Sequence, residues 1–170
     1  IRDEDIELAR NWAAEYRLDS IVSTDGDGDR PLVSDERGEW LRGDIAGVLT
    51  ARYLRARAVA TPVSSNSAVE LSGWFDEVMR TRIGSPYVIE GMQQLQLRHP
   101  HGVVGYEANG GFLQQTPLDF DGNRLSSLPT RDAVIVIIAI LAMSREQGVP
   151  VSALLDEMPR RYTHSDRIRN

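Results

Sequence analysis

Asp25-Gly26-Asp27-Gly28-Asp29-Arg30 sets three carboxylates at alternate positions of one short stretch, with an arginine directly behind them. Apolar pairs bracket it, Ile21-Val22 before and Leu32-Val33 after, so the pattern predicts strand, tight loop, strand. Glycine reaches φ > 0 at little steric cost, which lets the loop fold back and draw Asp25, Asp27 and Asp29 together. Carboxylates that close repel one another unless a positive charge lies among them. A hard, oxygen-preferring ion such as Mg²⁺ fits, since it keeps several waters and often meets a substrate phosphate. Arg30 adds a planar fork suited to phosphate oxygens. The stretch points to metal and phosphate.

Three other readings compete for the same residues. Counted from Asp25, an EF-hand would find carboxylates at its ligand positions and Glu36 at its last, but its obligatory glycine position holds Arg30, followed by Pro31. The β-branched approach to the loop also differs from an entering helix. An aspartyl-nucleophile phosphatase would use Asp25 at the end of a strand. That reading leaves the third aspartate and Arg30 unexplained, and the chain has no lysine to complete such a site. A plain Asp-Gly hairpin turn is common, yet it has no need of three carboxylates and an arginine so close together.

With 170 residues, the chain suits one domain with a sizeable core. Its formal net charge of −6, without any basic run, argues against a nucleic-acid partner. The absence of cysteine excludes disulfides, zinc-thiolate sites and thiol catalysis, and is compatible with the cytoplasm. The most apolar run, Ala133 to Met143, is too short to span a bilayer and reads as a core helix, so no membrane partner is expected. No leader pattern precedes the first helix, and the opening Ile1 is compatible with a chain processed or cut from something longer.

Read in order, residues 3 to 17 carry Ile6, Leu8, Ala9, Trp12, Ala13 and Tyr16 close to helical spacing, behind an acidic first turn. Leu32 to Ser34 is expected to form a hairpin with Trp40-Leu41, across the turn Asp35-Glu36-Arg37-Gly38. Gly43-Asp44 opens a helix to about Arg55, with Asp44 as its cap. Ala58-Val59-Ala60 is a short buried strand, followed by a polar segment and a helix over Ser67 to Met79. A loop over Thr81 to Pro86 leads to a helix through Met92 and Leu95, and Val103 to Tyr106 is the last clear strand. Thr130 or Asp132 caps the apolar helix, and a final helix over Val151 to Met158 is capped at Ser152. His99, His101, His164 and the three tryptophans read as turn, tail and packing residues.

Strands alternating with helices predict an α/β layered domain, with a small mixed or parallel sheet packed between helices. It would span residues 1–158, with 159–170 as a linker. Ligands of such sheets gather at the carboxyl ends of strands. The polar loops 24–30, 61–66, 81–86 and 105–111 could therefore meet in one crevice.

Taken together, these residues resemble the third domain of the α-D-phosphohexomutases, the phosphomannomutase and phosphoglucomutase family. That family's metal loop, Asp-Gly-Asp-x-Asp-Arg, matches Asp25 to Arg30 at every defined position. Its sugar loop, commonly Gly-Glu-x-Ser-Gly, is similar to Gly105-Tyr106-Glu107-Ala108-Asn109-Gly110, and its Thr-x-x-Gly segment to Thr81-Arg82-Ile83-Gly84. The resemblance implies that Asp25, Asp27 and Asp29 hold Mg²⁺. It implies that Arg30 acts catalytically on the phosphate of a phosphoserine from another domain. Glu107 and Asn109 would bind sugar hydroxyls, with Thr81, Gly84 and Ser85 as a neighbouring wall. The implied reaction converts a hexose 6-phosphate to the 1-phosphate, mannose or glucose, in a cytoplasmic isomerase of carbohydrate metabolism.

This sequence departs from the family pattern in informative places. Asn109 stands where many members have serine, Ser85 where several have histidine, and Tyr87 where some have lysine. The phosphoserine loop, typically Thr-x-Ser-His-Asn-Pro, is absent, as is the phosphate-gripping loop Arg-x-Ser-Gly-Thr-Glu. The expectation is a metal- and sugar-binding domain that depends on the other domains of a parent enzyme and is inactive by itself. A standalone module binding Mg²⁺ and sugar phosphate is the alternative.

Overall fold

Ala58, Ala60, Val103 and Leu113 turn to one side of a sheet, while Val59, Val104, Tyr106 and Phe112 turn to the other. That period of two is what a strand buried on both faces requires. The computed structural model describes residues 1–120 and 122–161. In chain order it has α1 (Asp3–Tyr16), β1 (Val22–Thr24), β2 (Pro31–Val33), α2 (Gly43–Tyr53), β3 (Ala58–Pro62) and α3 (Ala68–Leu71). Then come β4 (Glu77–Thr81), α4 (Ser85–Gln96), β5 (Val103–Tyr106), β6 (Phe112–Gln114), β7 (Leu118–Phe120), β8 (Asn123–Leu125), α5 (Ala133–Gln147) and a 3-10 turn over Val151–Leu155.

The main sheet has the order β4-β3-β5-β6. β3 runs parallel to both β4 and β5, and β6 closes the edge antiparallel to β5. On one face α4 buries Val88, Met92 and Leu95 against the sheet. On the other, α2 and α5 bring Val48, Leu49, Val136 and Ile140 onto Val59, Val104 and Tyr106. Each of these fully buried aliphatic side chains contributes about 1.5–3 kcal/mol. The result is the expected α/β domain with a mixed sheet between helices. Among the described residues no helix is long and apolar enough to cross a membrane.

α5 meets its expected start, since the Asp132 carboxylate accepts from the backbone N–H groups of Val134 (2.9 Å) and Ile135 (3.1 Å). It ends at Gly148, which takes the left-handed conformation at φ 66°. It is only half a core helix, because Val134 and Ile138 face outward.

Several boundaries differ from the sequence reading. β2 pairs with β1 across the acidic loop, and only Ser34 bridges to Trp40, so the expected second hairpin reduces to a single bridge. The helix expected over Ser67 to Met79 stops at Leu71. Gly73 takes φ 66° just beyond it, and Glu77 to Thr81 then form β4 beside β3. Parallel pairing overrode the weak local pattern. Asp44 is no cap: Arg42 holds that position, and the buried Asp44 carboxylate accepts from the Asn66 N–H at 2.8 Å. β6, β7 and β8 follow the strand taken as the last. The final element is a 3-10 turn after Pro150, and Ser152 donates its hydroxyl to Glu36 Oε1 at 2.6 Å instead of capping. Of the expected linker, residues 162–170 lie outside the described residues.

Candidate metal and sugar-phosphate site

The acidic loop joins β1 to β2 and is closed by its own backbone. The Asp25 N–H donates to the Arg30 carbonyl at 3.2 Å, and the Gly28 N–H to the Asp25 carbonyl at 3.1 Å. Gly28 makes this reversal at φ 77°, where a side chain would be strained. Asp25 Oδ1 accepts from the Arg30 N–H at 3.2 Å, which fixes that carboxylate toward the loop interior. One carboxylate oxygen each from Asp25, Asp27 and Asp29 lies within 4.8 Å of the others.

Arg30 occupies the centre of this group. Its Nε is in ion-pair contact with Asp25 Oδ2 and 3.5 Å from Asp29 Oδ1, while its Nη2 is 3.9 Å from Asp27 Oδ1. Asp25 Oδ2, Asp29 Oδ1 and Arg30 Nε are nevertheless buried without a hydrogen-bond partner among the described residues. Asp25 Oδ2 and Asp29 Oδ1, faced only by the Arg30 guanidinium and lying beside a third carboxylate, form a donor set that fits a hard divalent cation. Burial works against ionisation of Asp25. The Arg30 backbone N–H and the Arg30 guanidinium outweigh it and hold the Asp25 carboxyl below its ordinary value.

The second half of the site lies at the carboxyl ends of β4, β3 and β5, which share one edge because all three run parallel. After β5, the Glu107 N–H donates to the Gly111 carbonyl at 2.8 Å and the Gly110 N–H to the Glu107 carbonyl at 3.0 Å, a tight turn. Glu107 is only 5% exposed. Its Oε2 accepts from Ser85 Oγ at 2.8 Å, so the start of α4 and the 105–111 loop meet there. Gly84 precedes Ser85 at φ 120° as the N-cap residue. Asn109 is exposed, and its Oδ1 accepts from the Gly111 N–H at 3.1 Å. Thr81 ends β4 at the same edge, but its hydroxyl donates to the Arg82 carbonyl at 2.8 Å.

Arg131 joins the two halves, and the sequence reading missed it. Its Nη1 donates to Asp29 Oδ2 at 2.9 Å and its Nε to Glu107 Oε2 at 2.8 Å. Hydrogen bonds to Glu107 and to Asp29 raise the guanidinium above its ordinary pKa, so it stays charged. A continuous path thus runs from Asp29 through Arg131 and Glu107 to Ser85. The 61–66 loop stands behind it: Thr61 Oγ1 donates to the Tyr106 carbonyl at 3.0 Å. Beside the acidic loop, a cleft of about 540 Å³ opens between α1 and the β1–β2 hairpin, with Trp12, Asp25, Arg30, Trp40 and Asn109 in its wall.

Residues 42–162 match the family model described as phosphoglucomutase/phosphomannomutase, alpha/beta/alpha domain III. The chain belongs to this phosphohexomutase family. The matched residues begin after the acidic loop, which therefore precedes the domain III stretch. A phosphomannomutase of Salmonella muenchen is 45% identical over 170 residues, all of this chain and 35% of the relative. A phosphomannomutase of Sinorhizobium fredii is 46% identical over 159 residues, covering 94% of this chain and 33% of that one. The chain thus spans about a third of the length of these phosphohexomutase relatives.

Solved phosphohexomutases share the fold. A phosphoglucomutase/phosphomannomutase family protein from Burkholderia thailandensis superposes with a TM-score of 0.64 at 17% identity, over 93% of this chain and 32% of that one. The Aspergillus fumigatus N-acetylphosphoglucosamine mutase, solved with GlcNAc-6P and magnesium, gives 0.60 at 16% identity, over 89% of this chain and 36% of that one.

Proposed function

We propose that this chain is the metal- and sugar-binding part of a cytoplasmic phosphohexomutase that converts a hexose 6-phosphate, mannose or glucose, to the 1-phosphate. The observation that carries the proposal is the meeting of two sets of groups through Arg131. One is a three-carboxylate loop gathered around the Arg30 guanidinium, and the other is the Glu107 loop at the carboxyl edge of the sheet. Residues 1–158 act as one binding unit, and residues beyond 158 lead toward another domain of the parent enzyme.

Asp25, Asp27 and Asp29 hold Mg²⁺, which when bound neutralises charge on a phosphoryl group in transit. Arg30, which lies among these carboxylates, would offer its fork to phosphate oxygens of the group being transferred. Glu107 accepts from sugar hydroxyls and Asn109 hydrogen-bonds beside it, while Thr81, Gly84 and Ser85 wall the sugar on the α4 side. Orientation is the main contribution of these residues, because phosphoryl transfer depends on placing the acceptor in line. The phosphoserine donor motif is absent from this sequence, so these residues alone give no mutase turnover.

An amide-resolved NMR titration tests the reading, with Mg²⁺ first and then mannose 1-phosphate or glucose 1-phosphate. Residues 25–30 are expected to shift with metal, and 81–85 and 105–111 with sugar phosphate. An acidic loop that ignores millimolar Mg²⁺ would overturn the metal assignment, and turnover by the purified chain would overturn the dependence on a partner domain.

A further inference from the structure

Asp29 and Glu107 lie 102 and 24 positions from Arg131 in sequence, yet one guanidinium bonds both. The backbone that carries it is pinned. The Asp132 N–H donates to the Phe112 carbonyl of β6 at 2.9 Å, and the Asp132 side chain caps α5. The side chain then passes over Gly111, where a Cβ would lie 2.9 Å from Arg131 Cδ and Nε and 3.1 Å from Glu107 Oε2. Glu107 Oε2 receives both Arg131 Nε and Ser85 Oγ, so any movement of the guanidinium changes what Ser85 and Glu107 share. A guanidinium is a rigid plane, so a change at one of its ends is transmitted to the other.

We infer that Arg131 is a positioning residue that couples the acidic loop to Glu107 and Ser85, so that what binds at Asp29 alters the groups offered to the sugar. Asp29 Oδ2, if engaged by a cation, would be less available to Arg131 Nη1, whose Nε would keep its bond to Glu107. The ligands named here rest on the function proposed above, but the coupling itself belongs to the metal-free protein.

Two arms of an amide NMR experiment separate the two ideas. In metal-free protein, Asp29→Asn is expected to shift the amides of Ser85, Glu107 and Gly111, and these shifts are expected to vanish in the Arg131→Met background. Equal shifts in both backgrounds, or none in either, would overturn the coupling. If Arg131→Met fails to fold, Arg131→Lys takes its place. It keeps the charge but not the two-armed bridge, and is expected to cut the transmitted shifts to about half or less. In the second arm, Mg²⁺ alone is expected to shift residues 25–30 in both proteins, but Ser85 and Glu107 only where Arg131 is present. If Mg²⁺ leaves 25–30 unmoved, the metal assignment fails while the first arm still decides the role of Arg131.

Discussion

Arg131 donates to Glu107 at 2.8 Å across a glycine, and the same guanidinium holds Asp29. The charge of a nearly buried carboxylate is thereby matched by a cation tied to the loop that carries three more carboxylates. An arginine suits this position because its fork reaches two carboxylates in different directions, which an ammonium cannot do with comparable geometry.

Gly111→Ala tests how narrow that path is. Gly111 has no positive φ, so the substitution carries no left-handed backbone strain, and its Cβ meets the far part of the Arg131 side chain at 2.9 Å and Glu107 Oε2 at 3.1 Å. Stability should fall by about 1–3 kcal/mol, because the partly exposed Arg131 side chain can move aside only by loosening its bond to the nearly buried Glu107 carboxylate. The Glu107 and Ser85 amides should also shift as strongly as in Arg131→Met. Urea unfolding and an amide spectrum of the same sample check both halves.

How much of this could be read along the chain depends on how local each cause is. The Asp132 cap and the apolar run behind it are local, and α5 begins where they say. The acidic loop is local as well, since its glycines, its flanking strands and its arginine are neighbours. β4 is different: Glu77-Val78-Met79-Arg80-Thr81 is a strand because β3 lies parallel to it, and nothing in those five residues distinguishes them strongly from helix. Arg131 is the clearest case. Its partners are distant in sequence and become neighbours only once β6 and α5 have placed it. The one available signal was an arginine directly before a capping aspartate, close after a polar loop, which is too common to single out.

Gly47→Ala sets a helix gain against a packing loss. Alanine in the middle of α2 would favour the helix by roughly 0.5–1 kcal/mol. Its Cβ, however, would lie 2.5 Å from Cγ of the buried Tyr106 ring, which has no room to retreat. Overpacking of this kind costs about 1–3 kcal/mol, so the packing loss should win. Denaturant unfolding is expected to show a net loss of stability, and a neutral or stabilised variant would mean that β5 shifts to accommodate the methyl.

Acid sensitivity should trace in part to Glu77. Hydrogen bonds from Arg98 (Nε 3.0 Å, Nη2 2.5 Å) and contact with His99 Nε2 at 3.0 Å hold this carboxyl down from 4.5 to about 2, with burial opposing. The folded state therefore favours the ionised form. The stabilisation is fully present above 4.5 and is lost as pH falls from there through about 2. Thermal midpoints of wild type and Glu77→Gln, measured across that window, are expected to converge as the pH drops. A constant difference between them would show that the ion pair is not the source.

Magnesium should stabilise the fold through the acidic loop, and Asp27 is the residue that isolates this effect. Asp25 also braces the loop by accepting the Arg30 N–H, and Asp29 is held by Arg131, so changing either disturbs more than a ligand. Asp27 is the most exposed of the three, with its side chain 69% accessible, and it stands 3.9 Å from Arg30. Asp27→Asn should thus leave metal-free stability within about 0.5 kcal/mol of wild type. In wild type, Mg²⁺ at ten times its dissociation constant is expected to add about 1.4 kcal/mol, which is a few degrees in thermal midpoint for a chain of this size. That increment should be absent in Asp27→Asn at the same concentration. An equal increment in both proteins would move the cation to other residues and leave the loop with a purely structural role.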